Sequence, residues 1–120
     1  MSLLIWIVFA ASALFLALLG VPLARGRVAP NGLYGFRVQA TLDDPAIWYP
    51  VNRLSGLWLL ATGGVVIVST TTLYGLGIGP GTAAGINLAA LGLCVAASVV
   101  HGLIVSSRLA KASSRAGRTD

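Results

Sequence analysis

The sequence predicts an all-α integral membrane protein with three transmembrane helices, and with a structured cytoplasmic loop and a short interfacial helix between the first and second. The 120 residues include only 8 Lys or Arg and 3 Asp or Glu. Charged residues make up 9% of the chain, whereas a soluble domain carries about 25%. So few charges cannot cover the surface of a water-soluble globule, and they are absent from three long apolar runs. This composition argues against a soluble enzyme, a nucleic-acid-binding domain and a disordered tail.

The three uncharged runs define one membrane domain. They are residues 3–23, 54–78 and 83–105. At a rise of about 1.5 Å per residue, each can cross a hydrocarbon core of roughly 30 Å. Because backbone N–H and C=O groups have no water partner in lipid, we expect each run to be helical. Residues 24–53 then form the loop, and residues 106–120 form a basic tail.

The first run could instead be a cleaved signal peptide. Such a peptide begins with basic residues and has an apolar core of about 7–15 residues. Here Met1 and Ser2 precede the apolar run without any Lys or Arg, and the run is longer than that core. We therefore expect a retained helix.

All basic residues lie in two segments, the loop and the tail. They are Arg25, Arg27, Arg37 and Arg53, followed by Arg108, Lys111, Arg115 and Arg118. By the positive-inside rule, the N-terminus lies outside while the loop and the C-terminus are cytoplasmic. The preference for Arg over Lys, with abundant Ala and Gly, is typical of GC-rich bacterial genomes. We therefore expect a multi-pass protein of the bacterial plasma (inner) membrane.

Two dipeptides in the loop predict local structure. Asn31-Gly32 is a turn signal, because both residues tolerate positive φ. Asp44-Pro45 indicates a helix start, with Asp44 capping the free N–H groups and proline at the first helical position. From Pro45 we expect a short helix along the membrane surface, which Pro50 bends into the next span. Its lipid-facing residues would be Ile47, Trp48 and Val51.

A longer pattern in the loop resembles the signature of the SdpI family of bacterial membrane proteins. It consists of Pro30-Asn31, Tyr34-Gly35-Phe36-Arg37, Thr41-Leu42, Trp48, Asn52-Arg53 and Gly56. The family is named for an immunity protein against a secreted peptide toxin. The resemblance implies one membrane helix before the signature and two after it. The chain departs from the pattern at Val38, where the family usually has Thr, and it has one membrane module where the full-length immunity protein has two.

The candidate interaction or lipid-headgroup residues are Arg37, Arg53, Trp48, Tyr34 and Asn52. A guanidinium near the interface can bind a phosphate or a carboxylate bidentately. The acids Asp43 and Asp44 could pair with Arg37 or Arg53. Two hypotheses follow for the loop: a folded plug that fixes how the helices enter the membrane, or a docking site for a lipid, peptide or protein.

Small residues recur on one face of the first and third spans. The positions are Ala10, Ala13, Ala17 and Gly20, and then Gly81, Gly85, Ala89, Gly92 and Ala96. Small side chains let helix backbones approach closely, and this drives association in lipid. We therefore expect both faces to pack against other helices.

Polar residues form two seams that we expect to face the bundle interior. One is Ser55, Thr62 and Ser69; the other is Asn87, Cys94, Ser98 and His101. An ionisable residue inside the membrane is a candidate functional residue. His101 could relay a proton or sense pH, or it could be a neutral imidazole that is hydrogen-bonded between helices.

The residue inventory predicts no catalytic, cofactor or metal site. The single Cys94 allows neither an internal disulfide nor a zinc site, and no Ser-His-Asp or Cys-His set can be assembled. Nucleic-acid binding is not expected, because no aromatic residue lies among the charges of the tail. We expect the tail to contact anionic lipid instead.

Three functions remain open, all of them non-enzymatic. The first is an accessory subunit that docks on a larger bacterial envelope complex, for example an ABC-type lipid importer. The second is an immunity or signalling protein that binds an antimicrobial peptide or sequesters a regulator. The third is a small transporter, against which the missing intramembrane acid counts. The expected partners are membrane lipids, a larger membrane complex or further copies of the chain, and a peptide ligand.

Overall fold

Four helices make up the fold in the computed structural model, which describes residues 2–119. They are α1 (Leu3–Ala24), α2 (Gln39–Asp43), α3 (Pro45–Gly75) and α4 (Pro80–Thr119). Three of them, α1, α3 and α4, are long and apolar enough to cross a membrane. The part of the chain that the structure describes contains no strand. The predicted all-α fold with three spans is confirmed.

The central helix of the bundle is α3, which packs against α1 on one side and α4 on another. The Trp6 indole N–H donates to Thr71 Oγ1 over 3.4 Å, so the start of α1 lies beside the last turns of α3. The start of α3 lies beside the end of α4, where Trp58 donates to His101. Both neighbours therefore run antiparallel to α3. The segments that carry all eight Lys and Arg consequently lie at the same end of the bundle, which we call the basic end.

Small residues hold α1 against α3. A Cβ on Gly56 would lie 2.6 Å from the Gly20 carbonyl oxygen, and a Cβ on Gly63 would lie 2.7 Å from that of Ala13. Real Cβ atoms do not approach so closely, so the two backbones touch because these positions lack side chains. The predicted small-residue face of the first span is confirmed at Ala13, Ala17 and Gly20.

The small-residue face predicted for the third span does not pack within this chain, because it points away from the bundle. Gly81, Gly85 and Gly92 have no atom of another element within 4 Å of a Cβ built on them, and Ala89 and Ala96 are exposed. Instead α4 buries a face that contains Ala83, Asn87, Gly102 and Ser106. The polar seam determines which face of α4 is turned toward α3, since the Asn87 amide has hydrogen-bond partners only on that helix.

Capping side chains and glycines set the helix ends. Asp44 accepts a hydrogen bond from Ala46 N over 2.9 Å, as predicted. The two helices α1 and α3 end in the same way, with glycines of φ +68° at Gly26 and Gly77. The N–H of the residue after each glycine donates to a carbonyl of the last helical turn: Arg27 N–H to Pro22 O, and Ile78 N–H to Leu73 O. This pattern is a Schellman motif.

The expected interfacial helix is not a separate element. The helix that begins at Pro45 runs without interruption to Gly75, with Pro50 inside it. Ile47, Trp48 and Val51, which were expected to face lipid, are at most 5% exposed. Trp48 contacts the loop at Val28 and Gly35, so the loop covers this part of α3.

The basic tail is helical. Residues 106–119 continue α4 without a break, whereas Asp120 lies outside the described residues. At about 1.5 Å per residue, a helix of 40 residues is about 60 Å long. The long dimension of the molecule is 63 Å, so α4 is close to straight and spans the whole length.

Candidate functional site

The loop folds over the basic end of the bundle, and Asn52 is at the centre of this folded region. Asn52 is 2% exposed. Its Oδ1 accepts a hydrogen bond from Phe36 N over 2.5 Å, while its Nδ2 donates to Phe36 O over 3.3 Å and to Trp48 O over 3.1 Å. One amide therefore satisfies both backbone groups of Phe36, and it fastens the loop to the first turns of α3.

Gly35 and Trp48 complete this contact. Gly35 has φ +116°, and a Cβ there would lie 2.5 Å from Asn52 Oδ1. A side chain would thus be strained by the backbone and would also collide with the amide. Trp48 is fully buried, and its indole N–H donates to Val28 O over 2.8 Å.

Thr41 organises the short helix α2. The Thr41 side chain is fully buried. Its hydroxyl accepts from Val38 N over 3.0 Å, and the carbonyls of Phe36 and Val38 lie within bonding distance of its proton. Because Val38 cannot cap α2 with its own side chain, the hydroxyl of Thr41 satisfies the free backbone N–H at this end.

Asn31 and Tyr34 tie the start of the loop to α1. Asn31 Oδ1 accepts from the N–H groups of Leu33 and Tyr34, over 2.9 and 2.7 Å. Side-chain bonds of this kind form the predicted turn, and neither Asn31 nor Gly32 adopts a positive φ. The Tyr34 hydroxyl donates to Leu19 O of α1. Burial raises the pKa of this phenol above its ordinary value.

Phe36 connects the loop to the remaining span. A Cβ on Gly102 of α4 would lie 2.6 Å from Phe36 Cε2, so the ring packs directly on the helix backbone. Through Tyr34, Asn52 and Phe36, the loop contacts all three membrane helices. These contacts favour the folded-plug hypothesis, and we call this folded part of the loop the plug.

The charged residues of the loop lie outside this buried network. Arg37 is exposed and donates through Nη1 to Gly32 O. Arg53 is also exposed, and its guanidinium lies beside Gly26, at the end of α1. Asp43 and Asp44, which were expected to pair with these arginines, bond elsewhere: Asp43 accepts from Gln39 Nε2 over 2.8 Å, and Asp44 caps α3. The two guanidiniums are thus free to meet a phosphate or a carboxylate.

The five candidate interaction residues therefore divide into two groups. Trp48 and Asn52 are buried and Tyr34 is half-buried, so these three side chains act on the loop itself and do not present a docking surface. Arg37 and Arg53 remain accessible. The signature as a whole describes a folded structure more than a binding surface.

The polar seams join α3 to α4 at two levels. At the end away from the charges, Ser69 Oγ donates to Asn87 Oδ1 over 2.7 Å, and Asn87 Nδ2 donates to Thr70 Oγ1 over 3.2 Å. The hydroxyls of Thr62 and Ser98 bond carbonyls of their own helices instead. Cys94 is a half-buried free thiol.

Near the basic end, His101 makes the second link between α3 and α4. The Trp58 indole N–H donates to His101 Nδ1 over 3.1 Å, with the rings edge-on and their centroids 6.1 Å apart. The hydrogen-bonded imidazole that was expected between helices is thereby found. Its ring is exposed and does not face the bundle interior. Trp58, its partner, was not singled out in the sequence.

The four cations at the end of α4 share one face, which we call the basic stripe: Arg108, Lys111, Arg115 and Arg118. At about 100° per residue, they lie about 120–200° around the helix from buried Ser106. All four are exposed, whereas Leu109 and Ala110 are half-buried. The basic stripe therefore points away from the bundle and from the loop.

Among residues 2–119, no group of three or more His, Cys, Asp or Glu side chains could hold a metal ion.

The plug also relies on residues to which sequence analysis assigned no role, namely Leu19, Gly102 and Phe36. Of these residues, only Phe36 could have been found from the sequence, because it belongs to the aromatic-Gly-aromatic triplet around Gly35. A backbone acceptor such as Leu19 O has no sequence signal, because every residue has a backbone carbonyl.

A family model described as the SdpI/YfhL protein family matches residues 27–107. The match begins in the loop and ends one residue before the basic stripe. No curated protein and no solved structure gives a match.

Proposed function

The chain belongs to the SdpI/YfhL protein family, and from this premise we propose that it is a non-enzymatic accessory subunit of a larger bacterial envelope complex. In this proposal the protein lies in the inner membrane with its basic end in the cytoplasm. The positive-inside rule supports that orientation, because every Lys and Arg of the chain is at the basic end.

The outward face of α4 is the observation that carries the proposal. Three glycines, Gly81, Gly85 and Gly92, lie on this face with nothing from the bundle near them. A bare helix backbone gains packing when another helix covers it, whereas lipid chains fill such a groove poorly. The basic stripe is also unpartnered and lies beyond the membrane on the same helix, roughly 120° around its axis from the glycines. One helix thus offers a partner a close-packing surface and a charged one.

The basic stripe extends further than the membrane surface. Arg115 and Arg118 lie about 10 and 15 Å beyond Arg108 along a straight helix. The polar headgroup layer adds only about 5–7 Å on each side of the hydrocarbon core. With Arg108 at the headgroups, the two outer cations would reach past the lipid phosphates. An acidic surface on a cytoplasmic part of the partner complex is the complementary chemistry.

Purification in mild detergent followed by mass spectrometry tests this function. The wild-type protein should co-purify with larger membrane proteins in fixed stoichiometry. The double variant Arg115→Glu, Arg118→Glu should lose most of this partner, because like charges then face each other. Arg27→Glu, a charge reversal on the exposed loop, is the matched control and should retain the partner. Recovery of the wild type only as copies of itself would contradict the proposal.

An immunity or signalling role is the second candidate, and a groove between α1 and α3 favours it. The groove has a volume of about 630 Å³ and is lined by small and apolar side chains, among them Ala10, Ala11, Leu14 and Gly64. It opens sideways toward the membrane and could hold an apolar peptide segment. Ala11→Leu would fill it. If this role is right, cells that carry Ala11→Leu should be as sensitive to the antimicrobial peptide as cells that lack the gene.

A further inference from the structure

The hydrogen bond between Trp58 and His101 fixes the tautomer of the neutral imidazole. An indole N–H can only donate, so the imidazole nitrogen that faces it, Nδ1, carries no proton. In the neutral ring the hydrogen is then on Nε2. The bond from Trp58 thus leaves His101 as a hydrogen-bond donor through Nε2–H, which lies on the side of the ring away from the Trp58 indole.

This N–H lies at an apolar cleft that opens to the membrane. The His101 cleft has a volume of about 300 Å³ and is lined by Leu54, Leu57, Trp58, Ala61 and His101. Within residues 2–119, the bond from Trp58 is the hydrogen bond that the structure gives His101. An N–H without an acceptor is unfavourable in an apolar setting. The cleft therefore suits an occupant that is mostly apolar and carries an acceptor oxygen.

A cation lies in line with the cleft. Arg108 follows His101 by seven residues, so the two lie within about 20° on the same face of α4 and about 10 Å apart along its axis. Side chains on a helix lean toward its N-terminus, which brings the Arg108 guanidinium back toward His101. Guanidinium groups match the geometry of phosphate. The three features follow the order of groups in a phospholipid. The apolar cleft matches an acyl chain, the N–H donor matches an ester carbonyl, and the cation matches the phosphate.

We propose that the His101 cleft binds one anionic glycerophospholipid, with an acyl chain against Leu57 and Ala61, an ester carbonyl on His101 Nε2–H and the phosphate at Arg108. Trp58 is the positioning residue, because it fixes the imidazole as a donor. This site is independent of the proposed accessory role, since it lies on α3 and α4 of a single chain and needs no partner protein.

Native mass spectrometry tests the proposal by counting retained lipids. The wild type is reconstituted in nanodiscs of phosphatidylglycerol and transferred to mild detergent, where we expect one bound lipid per chain. His101→Leu should lower the retained fraction about five-fold, which corresponds to about 1 kcal/mol. Trp58→Phe should lower it as well, because the indole N–H is lost. Arg108→Gln should reduce retention of phosphatidylglycerol more than that of phosphatidylcholine.

Two further measurements decide between this site and the alternatives. His101→Gln keeps an N–H donor and should restore most of the binding, whereas Ser98→Ala, whose hydroxyl bonds its own helix, should leave it unchanged. Equal retention by the wild type and His101→Leu would overturn the proposal. So would replacement of the phospholipid by an equimolar isoprenoid quinone, whose carbonyl offers the same acceptor without a phosphate.

Discussion

At the scale of single residues, Asn52 shows that part of the loop motif acts in folding. Its amide bonds both backbone groups of Phe36 and one carbonyl of α3, and the side chain is 2% exposed. Arg37, in the same signature, is exposed. Two residues of one motif can therefore be separated by experiment, one acting on stability and the other on a partner or lipid.

Asn52→Ala should destabilise the protein by about 1–3 kcal/mol, because the Phe36 N–H is left buried without an acceptor. Arg37→Ala, the matched exposed variant, should change the stability by no more than about 0.5 kcal/mol. Denaturant unfolding in detergent, followed by circular dichroism, measures both. Equal stability of the two variants would mean that the loop does not depend on the Asn52 network.

Tyr34 predicts how stability depends on pH. Its pKa is raised by burial, so the folded state holds the phenol proton more tightly than the unfolded chain, whose pKa is about 10. The contribution of this proton is fully present below about pH 10 and is lost as the pH rises through the folded pKa. Tyr34→Phe should cost about 1 kcal/mol at pH 8 through the lost bond to Leu19 O. The difference between wild type and variant should shrink above pH 10; a constant difference up to pH 11 would contradict the assignment.

At the scale of helices, glycine spacing has two different meanings in this chain. Gly56 and Gly63 of α3 lie in contact with α1, whereas Gly81, Gly85 and Gly92 of α4 contact nothing in the bundle. Small-residue spacing predicts packing both for the α1 face that contacts Gly56 and Gly63 and for the face of α4. It cannot tell whether the partner belongs to the same chain, because a lipid-facing residue and a helix-facing residue are equally apolar.

Gly56→Ala should therefore destabilise the bundle, while Gly64→Ala, eight residues along the same helix, should not. A methyl group on Gly56 meets the Gly20 carbonyl at 2.6 Å, and such overpacking costs about 1–3 kcal/mol. A methyl group on Gly64 meets nothing within 4 Å. Thermal unfolding in detergent compares the two variants. A similar midpoint for both would show that α1 and α3 are not in backbone contact.

At the scale of the whole molecule, the sequence predicted what hydropathy and charge determine. The three spans and the clustering of every cation at one end follow from long uncharged runs. The continuation of α3 through Pro50 and the inward position of Trp48 did not follow. Both depend on the loop folding back over α3, which is a contact between distant residues. The outward small-residue face of α4 was missed because the Asn87 amide, with its partners Ser69 and Thr70, takes the inner face.

Crosslinking at the basic stripe in living cells tests the accessory role most directly. A photo-crosslinking residue is placed at Lys111, on the basic stripe, or at Ala110, which is half-buried and lies about 100° around the helix from Lys111. The account predicts that Lys111 crosslinks to an acidic segment of one larger membrane protein, and that Arg115→Glu, Arg118→Glu abolishes the product while Ala110 gives none. Crosslinks from Lys111 only to lipid or to further copies of this chain would contradict it.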